Sequence, residues 1–214
     1  MGDAVIEHLE RLRVFPVVVL DSPEQAEPLG EALLAAGMSC VELTFRTAAA
    51  EEGLRRLSRR YPELLLGAGT VLNVDQARRA QDAGAKFMVS PGFCAAVVDY
   101  CLLAGISVFP GVMTPTEMQW VLERRLGVAK FFPAEAAGGV GFLKAVAGPF
   151  QGLRFIPTGG IRPGNLPEYL AQPNVLACAG TWLVGRSDLQ AADYEAIRRK
   201  AAEALRIARG ESGS

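Results

Sequence analysis

The amino-acid sequence predicts an α/β fold in which eight parallel strands, each followed by a helix, close into a single (β/α)8 barrel. The chain has 214 residues, half of them hydrophobic, which is enough to bury a core without disulfide or metal support. Short apolar segments recur along the chain, and successive segments begin 20 to 26 residues apart. The eight segments begin at Val14, Met38, Leu64, Lys86, Ile106, Val128, Arg154 and Val175.

Helix-start and helix-stop signals lie between these segments. The stretch 21–24 (Asp-Ser-Pro-Glu), Asn73 and the stretch 114–117 (Thr-Pro-Thr-Glu) each place a capping side chain before an amphipathic stretch. The glycines that we expect to close helices are Gly37, Gly84, Gly105 and Gly127. Strands that alternate with helices in this way pair in parallel.

The number of units favours a closed barrel over the alternative, an open doubly wound sheet. Eight strands close a barrel that side chains can fill. No glycine-rich dinucleotide fingerprint follows the first strand and no P-loop motif occurs, so neither nucleotide motif supports the open sheet. We expect one barrel domain over residues 1–210, with residues 1–13 as an extra N-terminal helix and 211–214 as a frayed tail.

Charge, cysteine content and histidine content narrow the class of protein. Lysine and arginine total 22 against 23 acidic residues, and this net charge of −1 argues against a nucleic-acid partner. Charged residues interrupt every apolar run before about 18 residues, the length of a membrane span. The acidic N-terminus is unlike a signal peptide, and four scattered cysteines indicate reduced thiols in the cytoplasm. The single histidine, His8, precedes the first strand, so histidine-based triads and metal sites are not expected in the core.

The second segment places two charged side chains on one face of a strand. Glu42 and Arg46 share a parity, whereas the apolar residues between them share the other. If the apolar set packs against the helices, both charges point into the mouth of the barrel, where active sites of this fold lie. A buried carboxylate is costly unless it is paired or serves a site, and there it can carry protons. A structural ion pair that caps the core is the alternative.

The sixth segment carries a lysine among apolar neighbours. Lys130 follows Val128 and Ala129 and precedes two phenylalanines. Such surroundings remove hydration from an ammonium group and favour the neutral amine, which can attack a carbonyl carbon. The alternative is a strand lysine whose amine reaches solvent at the edge of a sheet.

Glycine turns end the last two predicted strands. Gly159 and Gly160 follow the seventh strand, and Gly180 and Thr181 end the eighth. At these positions the fold commonly binds phosphate through backbone amides, and glycine lets an anion approach the main chain. The alternative is a pair of tight turns without a ligand. A third glycine turn, over 67–70, could hold a small carboxylate with help from the charge of Arg46.

Seven motifs together resemble the class I 2-keto-3-deoxy-6-phosphogluconate (KDPG) aldolases, a family that includes the 4-hydroxy-2-oxoglutarate (KHG) aldolases. The resemblance runs from about Phe15 to the last helix, with the motifs in the family's order. The motifs are VELTFRT (41–47), GAGTVLN (67–73), SPGF (90–93), PGVMTPTE (110–117), KFFPAE (130–135), GPFQGLRFIPTGGI (148–161) and AGTWLV (179–184).

The resemblance implies a (β/α)8 barrel, a homotrimer, and catalysis without a metal or organic cofactor. It implies that Lys130 forms a Schiff base with the substrate and that Glu42 is the general acid and base. Arg46 and Thr70 then hold the pyruvate carboxylate, and Pro91 lines the same pocket.

The phosphate of the substrate is expected at three further positions of the resemblance, Gly159, Gly160 and Thr181. Thr181 stands where many members of the family carry serine, and this exchange keeps the hydroxyl. The expected partners of the chain are therefore small molecules: a 2-keto acid, pyruvate and a phosphorylated aldehyde.

The reaction that the resemblance implies is reversible cleavage of KDPG to pyruvate and D-glyceraldehyde 3-phosphate, as in the Entner–Doudoroff pathway. Cleavage of 4-hydroxy-2-oxoglutarate to pyruvate and glyoxylate is expected beside it. Three alternatives stay open. They are a 2-keto-3-deoxy-6-phosphogalactonate aldolase, a phosphosugar isomerase or epimerase on the same barrel, and a non-catalytic barrel that binds phosphorylated metabolites.

Overall fold

The computed structural model describes residues 4–211, in which parallel strands alternate with helices. The strands are β1 (Val14–Val18), β2 (Cys40–Thr44), β3 (Leu65–Gly69), β4 (Phe87–Val89), β5 (Ser107–Phe109), β6 (Gly111–Val112), β7 (Val128–Phe131), β8 (Arg154–Pro157) and β9 (Cys178–Gly180). The α-helices are α1 (Ala4–Leu12), α2 (Ala26–Ala35), α3 (Ala49–Arg60), α4 (Val74–Asp82), α5 (Ala95–Leu103), α6 (Pro115–Glu123), α7 (Gly139–Ala147), α8 (Leu166–Leu170), α9 (Arg186–Gln190) and α10 (Tyr194–Ala208).

All eight predicted apolar segments form strands, and each strand begins at the predicted residue or within three residues of it. The fifth segment differs from the prediction because it is divided into β5 and β6 by Pro110. Proline has no amide hydrogen to donate to a strand ladder, so the ladder is interrupted there. Of the end regions predicted from the sequence, residues 1–3 and 212–214 lie outside the described part of the chain.

The strands form two parallel sheets. Six strands make a curled sheet in the order β5-β4-β3-β2-β1-β9, and β6, β7 and β8 make a second sheet in that order. Two isolated parallel bridges, Phe155–Val175 and Thr158–Ala179, join β8 to the segment that contains β9. At the remaining edges of the two sheets, β5 of one sheet and β6 of the other are consecutive in the chain and are separated by Pro110. The carboxyl ends of these parallel strands therefore face the same way.

The helix caps follow the sequence signals with one exception. Ser22 and Thr114 form capping boxes, and Asn73 accepts a hydrogen bond from the Gln76 amide at the start of α4. The exception is Gly127: α6 ends at Glu123, and Arg125 takes the left-handed conformation that was expected of the glycine. The three other predicted stop glycines have positive φ angles. They are Gly37, Gly84 and Gly105.

Aromatic rings pack against one another on the inner face of the larger sheet. Phe87 lies edge-on to Phe15 at 6.1 Å between ring centroids and is 5.7 Å from Phe109. Gly67 is in register with Phe87 on the neighbouring strand, and a Cβ atom at Gly67 would lie 2.1 Å from the Phe87 ring. The missing side chain is therefore what lets the ring occupy the inner face of β3.

The structure also shows the character of the helices and the positions of the cysteines and of the single histidine. None of the helices in residues 4–211 is both long and apolar enough to cross a membrane. All four cysteines are free thiols, and three of them are buried. His8 shares a hydrogen bond of 2.9 Å with Ser39, whose backbone carbonyl accepts from Leu65 at the amino end of β3. The histidine is thus placed at the end of the strands opposite to their carboxyl ends.

The substitution Gly67→Ala tests the packing of the Phe87 ring. The new methyl group would overlap a buried ring, so we expect the free energy of unfolding to fall by about 1–3 kcal/mol. Urea denaturation followed by circular dichroism measures this. Gly164→Ala is the control, because nothing lies within 4 Å of the place that its methyl group would occupy. Equal effects of the two substitutions would contradict the packing argument.

Candidate active site

Glu42 lies on the inner face of the curled sheet, on a strand that pairs with β1 and β3. It is aligned with Val17 on β1 and with Gly67 on β3, and it is only 1% exposed. Gly69 follows two residues after Gly67 on the same face, and a Cβ atom there would lie 2.0 Å from Glu42 Oε1. The glycine in β3 thus provides the space that the carboxyl group fills.

Lys130 lies on β7 and faces Glu42. It is in register with Gly111 on β6 and Ile156 on β8, and it is 5% exposed. The distance from Lys130 Nζ to Glu42 Oε1 is 4.0 Å, which is an ion-pair contact but too long for a hydrogen bond. The amine also lies 4.9 Å from the centroid of the Phe132 ring. The predicted lysine and glutamate are therefore brought together, and the alternative of a solvent-facing lysine does not apply.

The electrostatics of this pair favour proton transfer at Glu42. Burial raises the pKa of the Glu42 carboxyl above its ordinary value, and the charges of Lys130 and Arg46 partly oppose this shift. Glu42 Oε1 is buried and has no hydrogen-bond partner within the described residues. An unsatisfied buried acceptor is costly, and such groups mark places where a ligand completes the hydrogen bonding. The carboxyl group is thus placed to take up and release a proton.

A small cavity of about 80 Å³ connects the predicted site residues. Its lining contains the buried pair of Lys130 and Glu42, and Arg46 as an additional cation. All three predicted phosphate-binding positions also line it: Gly159, Gly160 and Thr181. Segments distant in the sequence are therefore assembled around one space at the carboxyl ends of the strands.

Two predicted site residues, Thr70 and Pro91, lie outside the lining of this cavity. Thr70 is linked to it, because Arg46 Nε donates a 3.3 Å hydrogen bond to Thr70 Oγ1. Thr70 has a φ of +56°, a left-handed conformation that is costly for a β-branched residue and is often found at functional sites. The carbonyl of Pro91 would lie 2.2 Å from a Cβ atom at Gly111, the residue in register with Lys130.

The glycine turn after β8 is held by residues that the sequence analysis did not identify. Gly159 and Gly160 have φ angles of +99° and +84°, which other residues rarely adopt. The Gly159 carbonyl accepts a 3.1 Å hydrogen bond from the Glu135 amide. The buried Tyr169 hydroxyl donates a short hydrogen bond to the Glu135 carboxylate. Glu135 is part of the KFFPAE motif and could have been singled out, but nothing local to Tyr169 points to this contact.

The site contains the groups for chemistry at a carbonyl carbon. A buried amine can add to the carbonyl, a buried carboxyl group 4.0 Å away can move protons, and an arginine can hold a carboxylate. Within residues 4–211 no three histidine, cysteine, aspartate or glutamate side chains are grouped so that they could hold a metal ion. The fold and this arrangement define a parallel α/β protein with a buried lysine and a buried carboxyl group placed for chemistry at a carbonyl carbon.

Comparisons with known proteins identify the family. The family described as KDPG and KHG aldolase matches residues 5–200. A 2-dehydro-3-deoxy-phosphogluconate aldolase of Treponema pallidum (strain Nichols) is 46% identical over 203 residues, which are 95% of this chain and 97% of the relative. A KHG/KDPG aldolase of Escherichia coli (strain K12) is 43% identical over 192 residues, 90% of each chain. This chain belongs to the KDPG and KHG aldolase family.

A solved structure supports the same assignment. It is a KDPG aldolase from Legionella pneumophila with pyruvate captured at low pH as a covalent carbinolamine intermediate. The two structures align with a TM-score of 0.88 at 37% sequence identity, over 91% of this chain and 94% of the other. A carbinolamine is the first product of an amine adding to a ketone, which is the chemistry that a buried lysine permits.

The substitution Lys130→Met tests the electrostatic coupling of Lys130 and Glu42. Because the positive charge of Lys130 lowers the pKa of Glu42, its removal should raise that pKa further. Carbon-13 NMR titration of the Glu42 carboxyl group measures the midpoint in both proteins. Lys144→Met, in the last turn of α7, should leave the midpoint unchanged. A midpoint that stays constant or falls in Lys130→Met would show that the two groups are not coupled.

Proposed function

We propose that the chain is a class I aldolase that reversibly cleaves 2-keto-3-deoxy-6-phosphogluconate to pyruvate and D-glyceraldehyde 3-phosphate. The observation that carries this proposal is the buried pair of Lys130 and Glu42, 4.0 Å apart, in a chain of the KDPG and KHG aldolase family. The two relatives named above and the carbinolamine structure support the same activity. The proposal assigns the chain to the Entner–Doudoroff pathway.

In the first half of the proposed reaction, Lys130 binds the substrate covalently. Its neutral amine attacks the C2 ketone and forms a carbinolamine, which loses water to give a protonated imine. Glu42, through one water molecule, takes the proton of the C4 hydroxyl group. The C3–C4 bond then breaks, its electron pair moves toward the imine nitrogen, and the aldehyde leaves. The imine is the electron sink, so the step needs no metal or organic cofactor.

In the second half, Glu42 returns the proton. The enamine left on Lys130 takes a proton at the carbon that becomes the pyruvate methyl group, and water hydrolyses the resulting imine. The unpartnered Oε1 of Glu42 supports this role, because it is the carboxyl oxygen that faces the amine. The raised pKa of Glu42 also supports it, since a carboxyl group whose pKa is nearer to neutrality can act as both acid and base.

The remaining predicted residues bind the two ends of the substrate. We assign the pyruvate carboxylate to Arg46 and Thr70, which are already joined by a hydrogen bond, with Pro91 beside them. Holding the carboxylate aligns the ketone carbon with the amine, and such alignment contributes much of the rate in reactions of this kind. We assign the phosphate to Gly159, Gly160 and Thr181, which line the same cavity.

A second substrate is proposed on the strength of the family description. The family includes KHG aldolases, and the Escherichia coli relative is described as a KHG/KDPG aldolase. Cleavage of 4-hydroxy-2-oxoglutarate to pyruvate and glyoxylate uses the same imine and the same carboxyl group, so Lys130 and Glu42 serve both reactions.

We further propose how the chain is organised and where it acts. The two sheets close into one eight-stranded barrel over residues 1–210, with the N-terminal helix outside the repeat. The bridges between β8 and the β9 segment, and the continuity of β5 and β6 through Pro110, support closure. We propose a homotrimer in the cytoplasm. Exposed apolar side chains on α5 and α6, among them Leu103 and Trp120, support self-association.

Trapping with borohydride tests the covalent step. Incubation with pyruvate and borohydride should reduce the imine and add one pyruvyl group to Lys130, as read by intact mass and peptide mapping. Lys130→Ala should abolish the adduct. An intact mass without the increment would refute the aldolase mechanism. It would leave the phosphosugar isomerase and the non-catalytic barrel as the alternatives.

The same experiment separates the role of Glu42 from that of Lys130. Glu42→Gln should still trap pyruvate, because the amine is present, but should lose most of the exchange of the pyruvate methyl protons with deuterated water. Proton NMR follows the exchange. Unchanged exchange in Glu42→Gln would remove Glu42 from the proton-transfer role while leaving the covalent step intact.

The pH dependence of cleavage follows from the direction of the Glu42 shift. Glu42 must be ionised to act as the base, so kcat/KM should fall as the pH drops through the pKa of Glu42 in the free enzyme. Because burial raises that pKa above 4.5, the midpoint of this acid limb should lie above 4.5. The residual activity of Glu42→Gln should lack the limb. A midpoint at or below 4.5, or a limb that persists in the variant, would contradict the assignment.

A further inference from the structure

A second, wider cavity of about 610 Å³ opens beside the small one. Three residues line both spaces, namely Val17, Arg46 and Thr181, so the two cavities are adjacent. The small cavity holds the reactive amine and carboxyl group, whereas the wide one extends toward the segment that follows β9. A substrate whose keto end lies at Lys130 therefore has room to extend its other end into the wide cavity.

Two arginine side chains line the wide cavity, and one of them, Arg186, is paired with a carboxylate outside the lining. Among its lining residues, Arg46 and Arg186 are the charged ones, and no acidic side chain lines it. Arg186 is the first residue of α9, five positions after Thr181. Two threonines, Thr47 and Thr181, also line the space, and the Thr47 hydroxyl already donates to the Leu20 carbonyl at 2.6 Å. The two guanidinium groups and the Thr181 hydroxyl suit an anion with several acceptor oxygens.

The Arg186 guanidinium is held in place by a carboxylate from another element. Arg186 Nη2 donates to Asp21 Oδ1 at 2.7 Å, and Nε donates to Asp21 Oδ2 at 3.1 Å. Gln190 Nε2 donates to the same Asp21 oxygen at 2.9 Å. This two-point contact fixes the plane of the group, while its Nη1 nitrogen makes no hydrogen bond to the described part of the chain. The guanidinium can therefore contact a ligand without giving up its partner.

We propose that Arg186 is a specificity-determining residue that binds the anionic distal end of the substrate, with a phosphate monoester as the ligand class. This inference rests on the proposed aldolase function and adds a residue that lies outside the seven motifs and to which the resemblance assigns no role. In this arrangement Arg46 contacts the carboxylate end, and the phosphate lies at Thr181, where the two cavities meet. Gly159 and Gly160 border it from the small cavity, and Arg186 supplies the cation from the wide one. A substrate with a distal phosphate gains this contact, whereas the same keto acid without phosphate does not.

Steady-state kinetics with a matched pair of substrates test the proposal. Arg186→Ala should raise KM for 2-keto-3-deoxy-6-phosphogluconate about threefold to tenfold, since one charge-assisted contact at a solvated position is lost. The kcat value should change less than twofold, and KM for the dephosphorylated keto acid should stay the same. Arg186→Lys should restore part of the lost affinity. Added salt should weaken the wild-type preference for the phosphorylated substrate more than that of the alanine variant.

Arg198→Ala is the matched control. Arg198 is also an exposed arginine in a two-point contact with a carboxylate, that of Glu195, but it does not line either cavity. It should leave both KM values unchanged. Equal increases of KM for the phosphorylated and dephosphorylated substrates in Arg186→Ala, or no increase for either, would overturn the assignment of Arg186.

A binding measurement keeps this test separate from the aldolase proposal. Inorganic phosphate should raise the Tm of the wild-type protein, and this rise should be smaller in Arg186→Ala but not in Arg198→Ala. An equal rise in all three proteins would overturn the proposal even if cleavage is confirmed. If the pyruvyl adduct does not form but the Arg186 effect on phosphate binding persists, the aldolase function fails while the anion site stands.

Discussion

The structure depends on placing an amine and a carboxyl group together inside an apolar fold. Lys130 and Glu42 are 5% and 1% exposed, and an isolated charge so deeply buried costs several kcal/mol even after the protein relaxes. Their separation of 4.0 Å offsets part of this cost through mutual attraction. The carboxyl group nevertheless keeps an unpartnered oxygen, so the pair is not optimised for stability. A bound substrate can donate the hydrogen bond that Glu42 Oε1 lacks.

Much of the surrounding backbone serves this pair. Gly69 gives up its side chain where the Glu42 carboxyl lies, and Gly67 does so for the Phe87 ring below it on the same face. Two glycines on the same face of one strand would ordinarily destabilise it, because glycine loses a large conformational entropy on folding. Here parallel neighbours on both sides hold β3, and the ring and carboxyl group fill the space. The packing of the Phe87 ring and the placement of the Glu42 carboxyl group therefore both depend on glycines in β3.

The sequence predicted most of the strands and the buried pair of Lys130 and Glu42 because both have local signals. Strand segments recur at regular spacing, capping residues sit at fixed offsets, and a lysine among apolar residues stands out in any strand. The Glu135–Tyr169 and Asp21–Arg186 contacts have no such signal, since they join residues 34 and 165 positions apart. Only the folded arrangement of the chain brings them together. The prediction that Gly127 ends a helix was wrong for a different reason. Several residues near a helix end can adopt the left-handed conformation, and after α6 Arg125 adopts it.

The distribution of charge fits a substrate that carries an anionic group at each end. With the Lys130 amine protonated, the small cavity contains two cations, Lys130 and Arg46, and one carboxylate, Glu42. One substrate carboxylate would bring this group to neutrality, whereas a phosphate directly beside Glu42 would make it negative and would oppose ionisation of Glu42. In the proposed arrangement the phosphate lies instead at Thr181, where the small cavity meets the wide one. Binding energy from that distal contact can then favour cleavage without opposing the proton transfer proposed for Glu42.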